Sequence, residues 1–394
     1  MNITQPSYSF PIEQKLQPEF LTQNFWKCHY TSAKDQLHYW ILLPNNIKPT
    51  KLTPVVIQAV NLTNIGQYNS IDDAAYLEVE VVTEHTEYDI NAADWLLKKI
   101  AIIGEAVVDF REIEGKSTGK YLDVLTIKKT AGGEDIISRF TVLKDHDQLK
   151  GGANLFCVKA SCRAEDYEQL ADKILQTVTN WDLINKSDWQ MAESLTPFQC
   201  EAAEPVAFYV PVSWQIKFEA ANTSSFSRFV FSHEINAENK GVINGFFYDG
   251  HSAGNAASIY DKSFGRLAHL KYELPALQQV QSLNPSIKEL WSASGSIEHQ
   301  EENFVAFLEI NIISTVNGWY YFETIGPKPN LENYCWEINK RCTEMILESF
   351  NNMEFLKIQS SDEPLPENPI NTPDGKPSNK WLPDNWSVLS VDNE

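Results

Sequence analysis

The chain has 394 residues, 43% of them hydrophobic and 12% aromatic, which is enough for two or three globular domains that each bury a core. A formal charge of -21 argues against nucleic acid and anionic membrane surfaces as partners, since both demand a basic face. No apolar run reaches membrane-spanning length, and Met1 to Phe25 lacks a basic stretch followed by an apolar one, so a cytoplasmic protein without membrane insertion is expected.

Residues 1–24 are polar, carry Pro6, Pro11 and Pro18, and read as an irregular arm. Phe25 to Tyr30 and Leu37 to Leu43 read as a hairpin whose second strand ends at Pro44. Strands follow at Val55 to Val60 and Tyr76 to Val82, with Asn61 to Ile71 as a polar connection. Asn91 is placed to cap a helix through Trp95, Leu96, Ile100 and Ile103, and Gly104 to stop it. Four more strands are expected near Val107 to Ile113, Tyr121 to Lys128, Ile136 to Leu143 and Leu155 to Ala160. Tyr167, Ala171, Ile174, Leu175 and Val178 then form the apolar stripe of a helix that ends near Thr179.

Residues 182–205 read as a connector, with Trp189 and Phe198 able to pin it down. Strands then recur at Val206 to Val210, Phe226 to Ile235 and Val242 to Tyr248, followed by a helix from Ala256 to Leu270. Three more strands, at Lys288 to Ile297, Phe304 to Ile313 and Trp319 to Thr324, precede a last helix, with Asn330 as its cap candidate. Leu331, Cys335, Ile338, Cys342 and Met345 mark that helix's stripe. The two halves align at an offset of about 167 residues, Tyr39 to Pro44 falling on Val206 to Pro211 and Ile136 to Leu143 on Asn303 to Ile310. A meander with two helices per copy lacks the crossovers that parallel strands need. The expected class is therefore α+β: two tandem modules (residues 25–181 and 206–355), each an antiparallel meander packed with about two helices.

Chemistry-bearing patterns are sparse. There is no phosphate-cradling glycine loop, and no G-x-S-x-G elbow; Ser294-Gly295-Ser296 reads as a strand bend. Cys335 and Cys342 stand about 10.5 Å apart along one helix, too far for a disulfide, and the six cysteines read as buried small hydrophobes with no cofactor or metal. The densest polar set is Asp249 and His251 with His233 on an adjacent strand, the one place where an acid–base or metal site is conceivable. Asp145-His146-Asp147 reads as an exposed charged turn.

In element order each copy resembles the PsbP-like fold family: an early strand ending in proline, as at Pro44 and Pro211, then a helix, a long meander and a closing helix. That family includes a Ran-binding import factor and Eag-type chaperones of bacterial type VI secretion. The resemblance implies a binding protein without catalytic machinery.

Residues 356–394 form a Pro-rich acidic tail, yet Trp381 and Trp386 near its end either dock back on the protein's own surface or are partner-binding residues. The expected function is thus a non-enzymatic adaptor or chaperone whose apolar sheet face or inter-module cleft holds a peptide or helix of a partner protein, such as a secreted cargo or assembly subunit. The alternatives are an enzyme or metal-binding protein with a site at Asp249, His251 and His233, and a structural subunit of an assembly.

Overall fold

A computed structural model of the chain describes residues 8–71, 75–114, 120–147, 149–187, 191–201, 205–220, 226–250, 254–264, 270–273, 276–299 and 304–352. The described residues fall into two units, one of 8–87 and 91–192, the other of 88–90 and 193–352.

In the first unit, α1 (Pro18–Asn24) leads into β1 (Phe25–Tyr30), β2 (Tyr39–Pro44), β3 (Ile47–Lys51), β4 (Val55–Ile57), β5 (Leu62–Ser70) and β6 (Leu77–Thr86). Then come α2 (Ala92–Ile102), β7 (Ala106–Glu114), β8 (Lys120–Lys129), β9 (Asp135–His146), β10 (Ala153–Arg163), α3 (Tyr167–Thr179) and β11 (Trp181–Leu183). Strands β1, β2 and β11 make a small antiparallel sheet in the order β1-β2-β11. The large eight-stranded sheet runs β3-β5-β6-β10-β9-β8-β7, with β4 also paired to β5. Asn91 caps α2 by accepting the amides of Ala93 (2.8 Å) and Asp94 (3.5 Å). Gly104, at φ +72°, ends it: its amide donates to Ala101 O, and the amide of Glu105 donates to Ile100 O. The stripe of α3 packs on β9, β10 and β2, and its Ile174 and Val178 join Val79, Val81, Leu125, Phe156 and Val158 in one core. Helix α2 covers the opposite sheet face, where Glu84, Thr126 and Lys159 alternate with those core positions.

The second unit holds β12 (Leu195–Glu201), β13 (Pro205–Pro211), β14 (Trp214–Ala220), β15 (Phe226–Ile235), β16 (Glu238–Asp249) and α4 (Ala256–Phe264). It continues with β17 (Leu270–Glu273), β18 (Gln278–Val280), β19 (Glu289–His299), β20 (Phe304–Ser314), β21 (Gly318–Pro327) and α5 (Cys335–Ser349). Its eight-stranded sheet runs β14-β15-β16-β21-β20-β19-β17, with β18 paired to β19. Leaving out β4 and β18, both large sheets place their seven strands in the chain order 1-2-3-7-6-5-4. Both faces of the second sheet are apolar. Tyr320 and Phe322 face α5 with Phe198, Phe208 and Phe350, while Tyr321, Ile310 and Phe246 lie beneath α4 with Ile259.

Three sequence expectations need correcting. The class is predominantly antiparallel β rather than α+β, with sheets of three, eight, two and eight strands against five α-helices among the described residues. The excess comes from strands beyond those expected, among them β3, β5, β11, β12, β14, β17 and β18. Asn61 to Ile71 is not a polar connection but contains β5, where a bulge between Asn64 and Gly66 shifts the side-chain phase, so Leu62, Ile65 and Tyr68 are all buried without period-two alternation. At the other end of the chain, Asn330 caps only a local turn, accepting the amides of Glu332 and Asn333, and α5 starts five residues later at Cys335.

Candidate functional site

His233 sits in β15 at 0% exposure, its ring stacked on Trp214 with centroids 5.3 Å apart, and Tyr88 meets it edge-on at 5.1 Å. Burial pushes its pKa down, so the ring is neutral at pH 7, and neither ring nitrogen has a hydrogen-bond partner among the described residues. It is packing, closed to any substrate. His233 pairs with Gly241 on β16, whereas Asp249 ends that strand opposite Gly318. Eight residues of strand put roughly 26 Å between the two positions, far beyond hydrogen-bond or shared-ligand reach. His251 lies outside the described residues, as do Trp381 and Trp386.

Asp145, His146 and Asp147 are not an exposed turn. They are 7%, 7% and 4% exposed, and their carboxylates fasten neighbouring loops. Asp145 accepts the amide of Ser187 at 3.0 Å, and Asp147 Oδ1 accepts the amides of Leu149 and Lys150 at 3.0 and 3.1 Å. Among the described residues no group of three or more His, Cys, Asp or Glu side chains is placed to hold a metal ion.

The feature that stands out is the free edge of the first large sheet. Strand β7 is nine residues long and pairs only with β8 among the described residues, so its outer row of backbone amides and carbonyls is open to a further strand. Val107, Val108 and Phe110 on it are 44%, 39% and 55% exposed. Natural sheets blunt such edges with lysines, prolines or short strands, and two of the other three large-sheet edges do so here, the third being the seven-residue β14 with Lys217. Strand β3 carries Lys48, Pro49 and Lys51, and the corresponding edge of the second unit is split into β17, of four residues, and β18, of three. Strand β7 carries a bulge between Val107 and Asp109, where Val108 is the extra residue, and the charged residues Asp109, Arg111, Glu112 and Glu114, but no lysine or proline. The sequence places a strand at Val107 to Ile113. Its position at an edge depends on the strand order, which no local pattern encodes.

No family model matches the chain, and no curated protein sequence matches it. The resemblance to the PsbP-like family therefore rests on element order alone. Among solved structures, the chain is similar to TplEi, an immunity protein of the type VI secretion system of Pseudomonas aeruginosa, in its apo form. Identity is 11% and the TM-score 0.20, with 82% of this chain and 96% of that one covered. For the same protein complexed with an "L" peptide the identity is 10%, the TM-score 0.21 and the coverage 82% and 97%. DynU16, of the dynemicin biosynthetic locus, follows at 9% identity and a TM-score of 0.11, covering 72% of this chain and 81% of its own. Similarity at these scores defines neither fold nor function. No helix among the described residues is long and apolar enough to cross a membrane.

Proposed function

We propose that this chain is a non-enzymatic protein-binding adaptor or chaperone that takes an extended segment of its partner onto the open edge of β7. The observation that supports the reading is the nine-residue edge with Val107, Val108 and Phe110 exposed on it. Main-chain hydrogen bonds along such an edge supply affinity, and the alternating side chains supply selectivity. The further element of the proposal, service to a bacterial secretion or assembly system, follows from the PsbP-like resemblance.

The test compares capture from extracts of the native host by three proteins: the full chain, the V108K/F110K variant, and a chain lacking residues 360–394. Lysines on an exposed edge leave stability within about 0.5 kcal/mol but obstruct strand addition. The expected result is one specific partner held by the full chain and the truncated chain and lost by V108K/F110K. Loss on truncation alone moves the recognition element to Trp381 and Trp386 and overturns the edge reading. Capture of no partner by any of the three overturns the adaptor reading.

A further inference from the structure

On the α3 face of the first unit, the helix covers β9 and β10, and the N-terminal arm, residues 8–14, approaches the charged patch on β7, β8 and β9. The arm is held mainly by its backbone. Tyr167 OH donates to Ser9 O at 2.8 Å, Arg139 Nη2 to Pro11 O at 2.8 Å and Arg111 Nη1 to Ile12 O at 3.2 Å. The amide of Ser9 donates to Glu168 at 3.0 Å, and its hydroxyl to the same carboxylate at 2.7 Å. Two rings add side-chain selectivity: Phe10 lies against the Arg139 guanidinium at 4.5 Å, and Tyr8 meets Tyr167 edge-on at 6.0 Å.

This is how an extended peptide is read, with carbonyls and an amide fixed by side chains of a rigid sheet and helix and with one aromatic directly before a proline. The resident segment is an imperfect occupant. Arg139 is fully buried, yet its Nη1 has no acceptor among the described residues, and a buried donor left unpaired favours any ligand that satisfies it. The arm is only partly buried: Tyr8 and Phe10 pack against the core, while Ile12, Glu13 and Gln14 are exposed.

We propose that this groove is a second protein-binding site, for an extended partner segment of the pattern aromatic–small–aromatic–proline, and that the chain's own arm is a displaceable occupant in cis. The proposal rests on the protein-binding reading above but uses a different surface from the outer edge of β7.

The test measures binding of a fluorescent peptide with the sequence of residues 6–15 to full-length variants by anisotropy. The Y8A/F10A variant loosens the arm and leaves the groove intact. It is expected to bind the peptide at least tenfold more tightly than the wild-type chain, whose tethered arm competes. Adding Arg111→Ala in that background is expected to weaken binding at least fivefold. Because Arg111 is partly exposed, the triple variant remains folded, which circular dichroism and a cooperative melt check. No binding to folded Y8A/F10A overturns the groove, as does equal binding by the wild type, which would show that the arm does not occupy it. A concentration-dependent dimer of the wild type that Y8A/F10A abolishes also overturns the foreign-segment proposal, since the ligand is then the arm of a second copy. V108K/F110K separates the two readings. Unchanged peptide binding with lost partner capture leaves the edge reading intact, while lost peptide binding in Y8A/F10A with partner capture retained removes the groove alone.

Discussion

Asp123 and Arg139 form a bidentate pair across the neighbouring strands β8 and β9, Nε to Oδ1 at 2.8 Å and Nη2 to Oδ2 at 2.7 Å, with both side chains at 0% exposure. Arg111 adds a third bond, its Nε 2.8 Å from Asp123 Oδ2. Taking two charges out of water is costly, and good geometry is what offsets it. Removing one partner leaves the other buried and uncompensated. Arg139→Met is therefore expected to cost about 3 kcal/mol, near the low end for broken buried pairs because Arg111 still contacts the carboxylate. The double variant R139M/D123L removes the stranded charge and should recover most of that loss. Urea midpoints at constant m-value measure both, and a double variant no more stable than R139M would show that the pair is not the cause.

One half-buried and one buried imidazole, His29 and His233, set an acid limit on stability. Burial first, then the nearby Lys27 charge, lowers the pKa of His29 to about 4, and burial lowers that of His233. In the unfolded chain both titrate near 6.5, so the unfolded state binds more protons below that pH. Stability is fully present above about pH 6.5 and is lost as pH falls toward the folded values. Discounted for its partial solvent exposure, His29 should account for about 1–2 kcal/mol of that loss. His29→Gln should flatten the pH dependence of the urea midpoint between pH 6.5 and 4.5. An unchanged slope would rule out His29 as its source.

The thiols divide by accessibility. Cys28, Cys157, Cys162 and Cys342 are buried and Cys335 is half-buried at the start of α5. Burial pushes the Cys28 and Cys162 thiols up to about 12, and those of Cys157 and Cys342 up as well. Thiolate, the reactive form, is therefore scarce at all four. At pH 8, an aromatic disulfide reagent should modify Cys335 within minutes in the native chain and reach the other four only on unfolding. Rapid native labelling at Cys157 or Cys342, mapped by mass spectrometry, would contradict the packing described here.

Much of the order of elements was legible because it is written in local chemistry. Asn91 and Gly104 bound α2 as their side-chain and backbone preferences require, and the stripe from Tyr167 to Val178 gives α3. What escaped depends on partners far away in sequence. Strand β5 was masked by a bulge that brings Leu62, Ile65 and Tyr68 together across a broken alternation. The regular Trp214, Ile216, Phe218 alternation of β14, by contrast, is a local strand signal. The β-rich class follows from strands of both kinds. For the site, the sequence favours His233 because histidine near carboxylates suggests chemistry, but burial against Trp214 and strand register carry it away from Asp249. The exposed edge at Val107 to Phe110 becomes visible only once β7 is known to be the last strand of its sheet.

In the second unit, Asn339 of α5 is fully buried with its amide over two strand glycines, and its Nδ2 donates to Lys240 O at 2.9 Å. A Cβ built on Gly241 would stand 2.2 Å from Asn339 Oδ1, and one on Gly326 would stand 2.3 Å from Asn339 Nδ2. Neither glycine has a left-handed backbone, so alanine brings no conformational strain of its own and the penalty is purely one of space. G241A and G326A should each cost about 1–3 kcal/mol through overpacking. Asn339→Ala alone should cost about 1 kcal/mol for the lost hydrogen bond. In G241A/N339A the new methyl fits the space the amide vacates, so the double variant should be more stable than the sum of the single losses predicts, by about 1 kcal/mol or more. Thermal and urea unfolding of the four proteins of this cycle measure the coupling. Strict additivity would mean that the helix moves off the sheet to accommodate the methyl, and that Asn339 does not fix its distance.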